Sequence, residues 1–128
     1  MIVGSNPPEI KHDKIIFTGP VKNVKNYIDA SDIVINPILF SSGKRTRIIE
    51  AIACCKRVIS TSIGAGEFVN EDLKDFLVIT DNWDEFATEI LKNIQKKHIK
   101  TPKKFIEKYS LKNIMREVNL LLQKNMKN

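Results

Sequence analysis

The sequence predicts a doubly wound α/β domain: a parallel sheet of about five strands with helices on both faces. Three observations carry this expectation. Short apolar runs without polar alternation recur along the chain, as strands buried on both faces require. Segments with apolar residues at three- and four-residue spacing alternate with those runs. Gly, Pro, Asn and Ser punctuate the junctions.

The elements follow in order. Ile2-Val3-Gly4 reads as the end of a buried strand, and Ser5-Asn6-Pro7-Pro8 as a turn that cannot continue a ladder. Ile15 to Thr18 is a second strand, closed by Gly19-Pro20. Val21, Val24, Tyr27 and Ile28 have the spacing of a short amphipathic helix. Ile33-Val34-Ile35 is a third strand, stopped by Asn36-Pro37. Ser41-Ser42-Gly43 resembles a helix start, with Ile48, Ile49, Ile52 and Ala53 as the apolar face of that helix. Val58 to Thr61 is a fourth strand and Phe76 to Ile79 a fifth. Asp81-Asn82 caps a helix with a stripe of Phe86, Ile90, Leu91 and Ile94. Thr101-Pro102 opens another helix with Pro at its first position. Ser110 caps the last one, with Leu111, Ile114, Met115, Val118, Leu121 and Leu122 expected to face inward.

The 128 residues suit one domain with one core. A hydrophobic share of 42% against 28% charged excludes global disorder. Cys54 and Cys55 are sequence neighbours and match no metal spacing, which excludes a disulfide-stapled fold. A thiol nucleophile has no His or Asp motif beside it, so both cysteines are expected to pack in the core. His12 and His98 have no recognisable partners and are expected at the surface. No apolar run approaches the roughly 20 residues of a membrane span, and Met1 to Gly4 lacks a basic n-region. The expected compartment is the cytoplasm. The net charge of +6 is uneven: residues 92–128 hold 11 basic and 2 acidic residues, while residues 1–91 hold 10 and 13. The basic character belongs to a helical tail over residues 101–128, which suits plain water, an anionic membrane surface or nucleic acid. No recognition motif for nucleic acid accompanies it, so that partner is set aside.

In such sheets ligands bind beyond the carboxyl ends of the strands. The loops at Gly4, Gly19, Pro37–Gly43 and Thr61–Gly66 are therefore expected to line one rim. The segment from Phe40 to Cys54 carries the chemistry there. A glycine at a helix entry lets backbone approach an anion, and the free N–H groups of the first turn favour phosphate. Lys44, Arg45 and Arg47 add three cations within four residues. Further along, Glu50 lies between apolar Ile49 and Ala51, and a vicinal diol could give its carboxylate two hydroxyl donors. Phosphate at the helix start and a diol near Glu50 together describe a nucleotide. An exposed basic helix start, with Glu50 paired to Arg47 or Arg45, satisfies the same residues.

The stretch Ser41-Ser42-Gly43-Lys44-Arg45-Thr46-Arg47-Ile48-Ile49-Glu50-Ala51-Ile52-Ala53-Cys54-Cys55-Lys56-Arg57-Val58-Ile59-Ser60-Thr61 resembles the signature of retaining glycosyltransferases of the GT-B fold, group 1, family 4-like. Ile2 to Pro8, Ile16 to Val21 and Asp32 to Pro37 resemble further blocks of that family in the same order, and Phe105 and Tyr109-Ser110 resemble the segment before its last helix. The similarity spans almost the whole chain.

The resemblance implies a Rossmann-like C-terminal donor domain, single and partial over residues 1–128, that lacks its first βα unit. It implies transfer of a sugar from a nucleotide diphosphate sugar to a saccharide or lipid-linked acceptor, with no metal and no cofactor beyond that donor substrate. Gly19 and Val21 would border the base. Ser42, Gly43, Lys44, Arg45 and Thr46 would border the diphosphate and donor sugar, and Glu50 would take the ribose hydroxyls. No residue of this chain is assigned as catalytic. Partners implied are the nucleotide sugar and an N-terminal acceptor domain in the same or a separate chain. The last helix allows peripheral membrane contact. The strand of the missing unit would be the central one, so the gap allows a homodimer, direct closure, or a longer gene of which this chain is the C-terminal piece. The isolated chain is expected to be inactive; the alternative is a non-catalytic binding or assembly module completed by another subunit. Cys55 stands where the family has a Gly just after the helix, Arg57 where it has Pro, and Ser42 where many members have Glu. Gly64-Ala65-Gly66-Glu67 moves an acidic residue by one position relative to the family.

Overall fold

The structure, a computed structural model, describes residues 1–40, 43–96 and 99–125, without the side chains of Leu121, Lys124 and Asn125. His98 lies outside the described residues. The chain is α/β. Three parallel strands form its sheet in the order β1 (Ile33–Asn36), β2 (Arg57–Ser60), β3 (Leu77–Ile79). Crossover helices link them, as parallel pairing demands. α1 (Val24–Asp29) precedes β1, α2 (Thr46–Ala53) joins β1 to β2, and the short α3 (Ser62–Ala65) with a 3-10 turn (Gly66–Asn70) joins β2 to β3. α4 (Trp83–Ile94), α5 (Lys103–Tyr109) and α6 (Leu111–Asn125) follow.

Register explains the two faces. Val34, Val58 and Leu77 stand in one row across the sheet, and Ile35, Ile59 and Val78 in the next. Successive side chains point to opposite faces. The first row belongs to the main core with Ile48, Ala51 and Ile52 of α2 and Phe105 of α5. Phe105 and Tyr109 stack at 4.7 Å between ring centroids, and Phe68 reaches Tyr109 at 5.7 Å. On the other face α4 packs on β1 and β2, with Phe86 and Ile59 buried outside that core.

Several expectations change. Among the described residues the sheet has three strands, where about five are expected. Ile2 and Phe17 form an isolated parallel bridge, held by Ile2 N–H to Ile16 O at 2.8 Å and Thr18 N–H to Ile2 O at 3.1 Å. Each of these segments pairs with the other, and neither is hydrogen-bonded into the sheet as a strand. α2 starts at Thr46, three residues beyond Gly43, because the backbone at Arg45 is still non-helical (φ −89°, ψ 54°). Ala51 rather than Ala53 is buried on its inner face. α4 buries Phe86 while Leu91 and Ile94 remain exposed. Pro102 is the cap residue of α5 rather than its first helical position. The largest correction concerns α6: Leu111, Ile114, Met115, Val118 and Leu122 are exposed, and among the described residues its main packing is on α5.

Other expectations agree. The Asn82 side chain accepts from the N–H groups of Asp84 and Glu85, capping α4. Asp81 instead accepts from Ser62 N–H at 2.8 Å, and hydrogen bonding from Ser62, its side chain first and then this N–H, holds the carboxyl below the usual range. Cys55, after α2, has φ +58°. Cys55 N–H donates to Ile52 O and Lys56 N–H to Ala51 O, which is the hydrogen-bond pair of a Schellman cap. Buried Lys56 points back and donates to the carbonyls of Asp29 and Ser31, tying the end of α1 to the entry of β1. Among the described residues, no helix is long and apolar enough to cross a membrane.

Candidate functional site

The carboxyl ends of β1 and β2 meet at a cavity of about 230 Å³. Asn36 and Ile38 line it from β1 and its loop, Gly64 from the loop after β2, and Lys44 to Ile48 from the start of α2. The rim is built by polar residues buried beneath it. Asn36 Nδ2 donates to Ser60 Oγ at 3.1 Å and to Gly64 O at 3.0 Å. The Thr61 hydroxyl donates to Ile38 O and accepts from Gly64 N–H at 3.0 Å. A Cβ on Gly64 would stand 2.7 Å from Asn36 O and from Ser60 Oγ, so only glycine lets this loop close on β1.

α2 brings its N-terminus to the cavity. Among the described residues, Ile48 N–H is the first of its donors to be bonded, to Arg45 O at 3.0 Å, and no side chain caps the helix. The N–H groups of Thr46 and Arg47 precede that bond, where unmet donors and the helix dipole favour an anion. Lys44, Thr46 and Arg47 are exposed. Arg45 is half-buried, and its guanidinium donates to the carbonyls of Gly43 and Ile63. Gly43 is exposed in a turn with φ +97°.

Not every expected residue meets the others. Glu50 is exposed on α2, outside the residues that line the cavity. Its carboxylate makes no ion pair with Arg45 or Arg47 among the described residues, while the exposed basic helix start of that alternative is present. Gly19 accepts from Gly4 N–H at 3.3 Å, so these two loops meet each other, and Val21 is half-buried beside them. Neither Gly19 nor Val21 lines the cavity. Ser42 lies outside the described residues. Gly64 falls in the Thr61–Gly66 segment expected on the rim, whereas Asn36 is not among the expected site residues. A polar residue closing an apolar strand run was the available signal for Asn36.

A larger, shallower depression of about 480 Å³ runs along α6, past Met115, Arg116 and Leu120. Among the described residues, it is lined by that helix alone. Among the described residues, no group of three His, Cys, Asp or Glu side chains could hold a metal ion.

A parallel α/β sheet with an uncapped, basic helix start above its carboxyl edge is the arrangement of Rossmann-like anion-binding domains. The family described as glycosyl transferases group 1 matches residues 1–96, three quarters of the chain. The chain belongs to that family. No curated protein and no solved structure matches it.

Proposed function

We propose that this chain is the donor-binding part of a retaining glycosyltransferase of the GT-B fold. It would take a nucleotide diphosphate sugar and present it for transfer to a saccharide or lipid-linked acceptor, with the acceptor side supplied by another domain or chain. The observation that carries this reading is the cavity at the α2 N-terminus, in a chain whose family transfers glycosyl groups.

The chemistry follows from the geometry. A diphosphate leaving group gains negative charge as the sugar departs. Stabilisation of that charge needs donors and cations already aimed at the phosphate. The free N–H groups of Thr46 and Arg47 supply the first, and the exposed side chains of Lys44 and Arg47 the second. Gly43 leaves the approach clear of a side chain. Arg45 borders the same cavity. Glu50 is solvent-facing and without an ion partner among the described residues, which leaves both carboxylate oxygens free to accept from the two ribose hydroxyls. Gly19 and Val21 would border the base.

A thermal-shift panel of nucleoside diphosphates and nucleotide sugars, run on the chain and on Glu50→Ala, tests this. At least one ligand is expected to raise the midpoint of the parent chain, and Glu50→Ala to reduce the shift without lowering the ligand-free midpoint. No shift with any ligand would sink the binding claim. A shift untouched by Glu50→Ala would sink the ribose role.

A further inference from the structure

We propose that Arg45 is a positioning residue: its guanidinium clamps the Gly43 turn to the loop after β2, and so shapes the cavity from behind instead of meeting the ligand's phosphate. The inference rests on the reading of that cavity as a nucleotide diphosphate site.

Sequence alone places Arg45 with Lys44 and Arg47 as one of three cations. The structure separates them. Lys44 and Arg47 are exposed, while Arg45 is half-buried with its guanidinium engaged. One nitrogen, Nη1, donates to Gly43 O, in the turn before α2. A second, Nη2, donates to Ile63 O at 2.9 Å, in the short α3 after β2. Arg45 itself is the cap residue of α2, yet its side chain does not cap the helix. The planar fork instead spans the turn at Gly43 and the α3 backbone at Ile63, which are distant in sequence, a task for which a lysine ammonium on a flexible stem is poorly suited.

The opposing wall is shaped to admit it. Gly66 has φ +53° and ψ −121°, a backbone region that side chains rarely adopt. A Cβ on Gly66 would stand 2.7 Å from Arg45 Nε and 3.1 Å from both Cζ and Nη2. The guanidinium thus occupies the space that a side chain on Gly66 would take. The bonds to Gly43 O and Ile63 O commit one donor on each of Nη1 and Nη2 to the protein itself. Phosphate contact is left to Lys44, Arg47 and the first-turn N–H groups of α2.

Two measurements on the full chain test the clamp. The first needs no ligand: unfolding midpoints of the parent chain, Arg45→Ala, Gly66→Ala and the double variant. The backbone strain of Gly66→Ala is common to both backgrounds and cancels in the cycle, leaving the clash with the guanidinium. We expect Gly66→Ala to lower the midpoint clearly less in the Arg45→Ala background. Equal losses in both backgrounds would overturn the clamp. The second uses Arg45→Lys, which keeps the charge and loses the fork. Faster deuterium exchange at residues 43–46 and 62–66 is expected, together with about a tenfold loss of nucleoside diphosphate affinity. The ratio of diphosphate to monophosphate affinity should stay at its parent value. Full affinity in Arg45→Lys, or a collapse of that ratio in Arg45→Ala, would make Arg45 a direct phosphate ligand and overturn the inference. If the parent chain binds no nucleotide, the nucleotide reading fails, and the ligand-free cycle still decides the clamp.

Discussion

The Asn36 side-chain amide donates to the carbonyl oxygen of Gly64 at 3.0 Å, so the last residue of β1 holds the loop that follows β2. That loop passes so close that a methyl group on Gly64 would meet Asn36 O, Ser60 Oγ and Asn36 Nδ2, all within 2.8 Å. Gly64→Ala must push the loop away and break the bond. We expect a loss of about 3 kcal/mol in folding stability, from overpacking and one buried hydrogen bond. A urea midpoint measurement checks this.

Cys55 occupies the left-handed position after α2. A non-glycine residue there carries a steric cost that glycine does not. Cys55→Gly should therefore stabilise the chain by about 1 kcal/mol, read as an increase in the urea midpoint at unchanged slope. A decrease would show that packing of the thiol outweighs the backbone term.

The two thiols should separate on titration. Burial raises the Cys54 pKa, and the neighbouring Asp29 carboxylate adds to the rise. Hydrogen bonding from Thr101, whose hydroxyl oxygen lies 3.4 Å from Cys55 Sγ, lowers the Cys55 pKa. A lowered pKa means that thiolate forms at lower pH. As pH rises, iodoacetamide should therefore label Cys55 before Cys54, followed by mass spectrometry of the native chain. Thr101→Val should bring the two labelling profiles closer together.

Burial predicts which aromatic and aliphatic positions matter. Phe105 is 6% exposed and stacks on Tyr109. Phe105→Ala should cost about 3 kcal/mol or more. Val118 is 41% exposed on α6. Val118→Ala should cost no more than about 0.5 kcal/mol. Parallel thermal melts compare the two, and equal losses would mean that α6 is packed more tightly than its exposure indicates.

What could be read in advance was whatever a segment declares by itself. Ile33 to Ile35 and Val58 to Ser60 are apolar runs with no polar alternation before their final residues, and they form neighbouring strands of the sheet. Asn82 precedes an apolar stripe and caps α4. The left-handed turn at Cys55 was foreseeable because the family has glycine there. What could not be read depends on a partner elsewhere in the chain. The stripe on α6 has helical period whether or not anything covers it. Ile2 and Phe17 have strand chemistry, but strand pairing is a property of neighbours, and each has only the other. Charge patterning groups Arg45 with Lys44 and Arg47; only the fold brings Ile63 and Gly66 against its guanidinium.

Among the described strands, β2 alone is paired on both sides. Its last residue, Ser60, and the following Thr61 are buried and anchor the loops that border the cavity. Proteins usually open first in weakly packed units, and binding loops are commonly drawn from them. Here the loop after β2 is fastened to the centre of the sheet. Its opening is thereby coupled to the cooperative unit that contains β2, and a ligand that closes on this rim would oppose subglobal unfolding of the sheet as well as local motion of the loop.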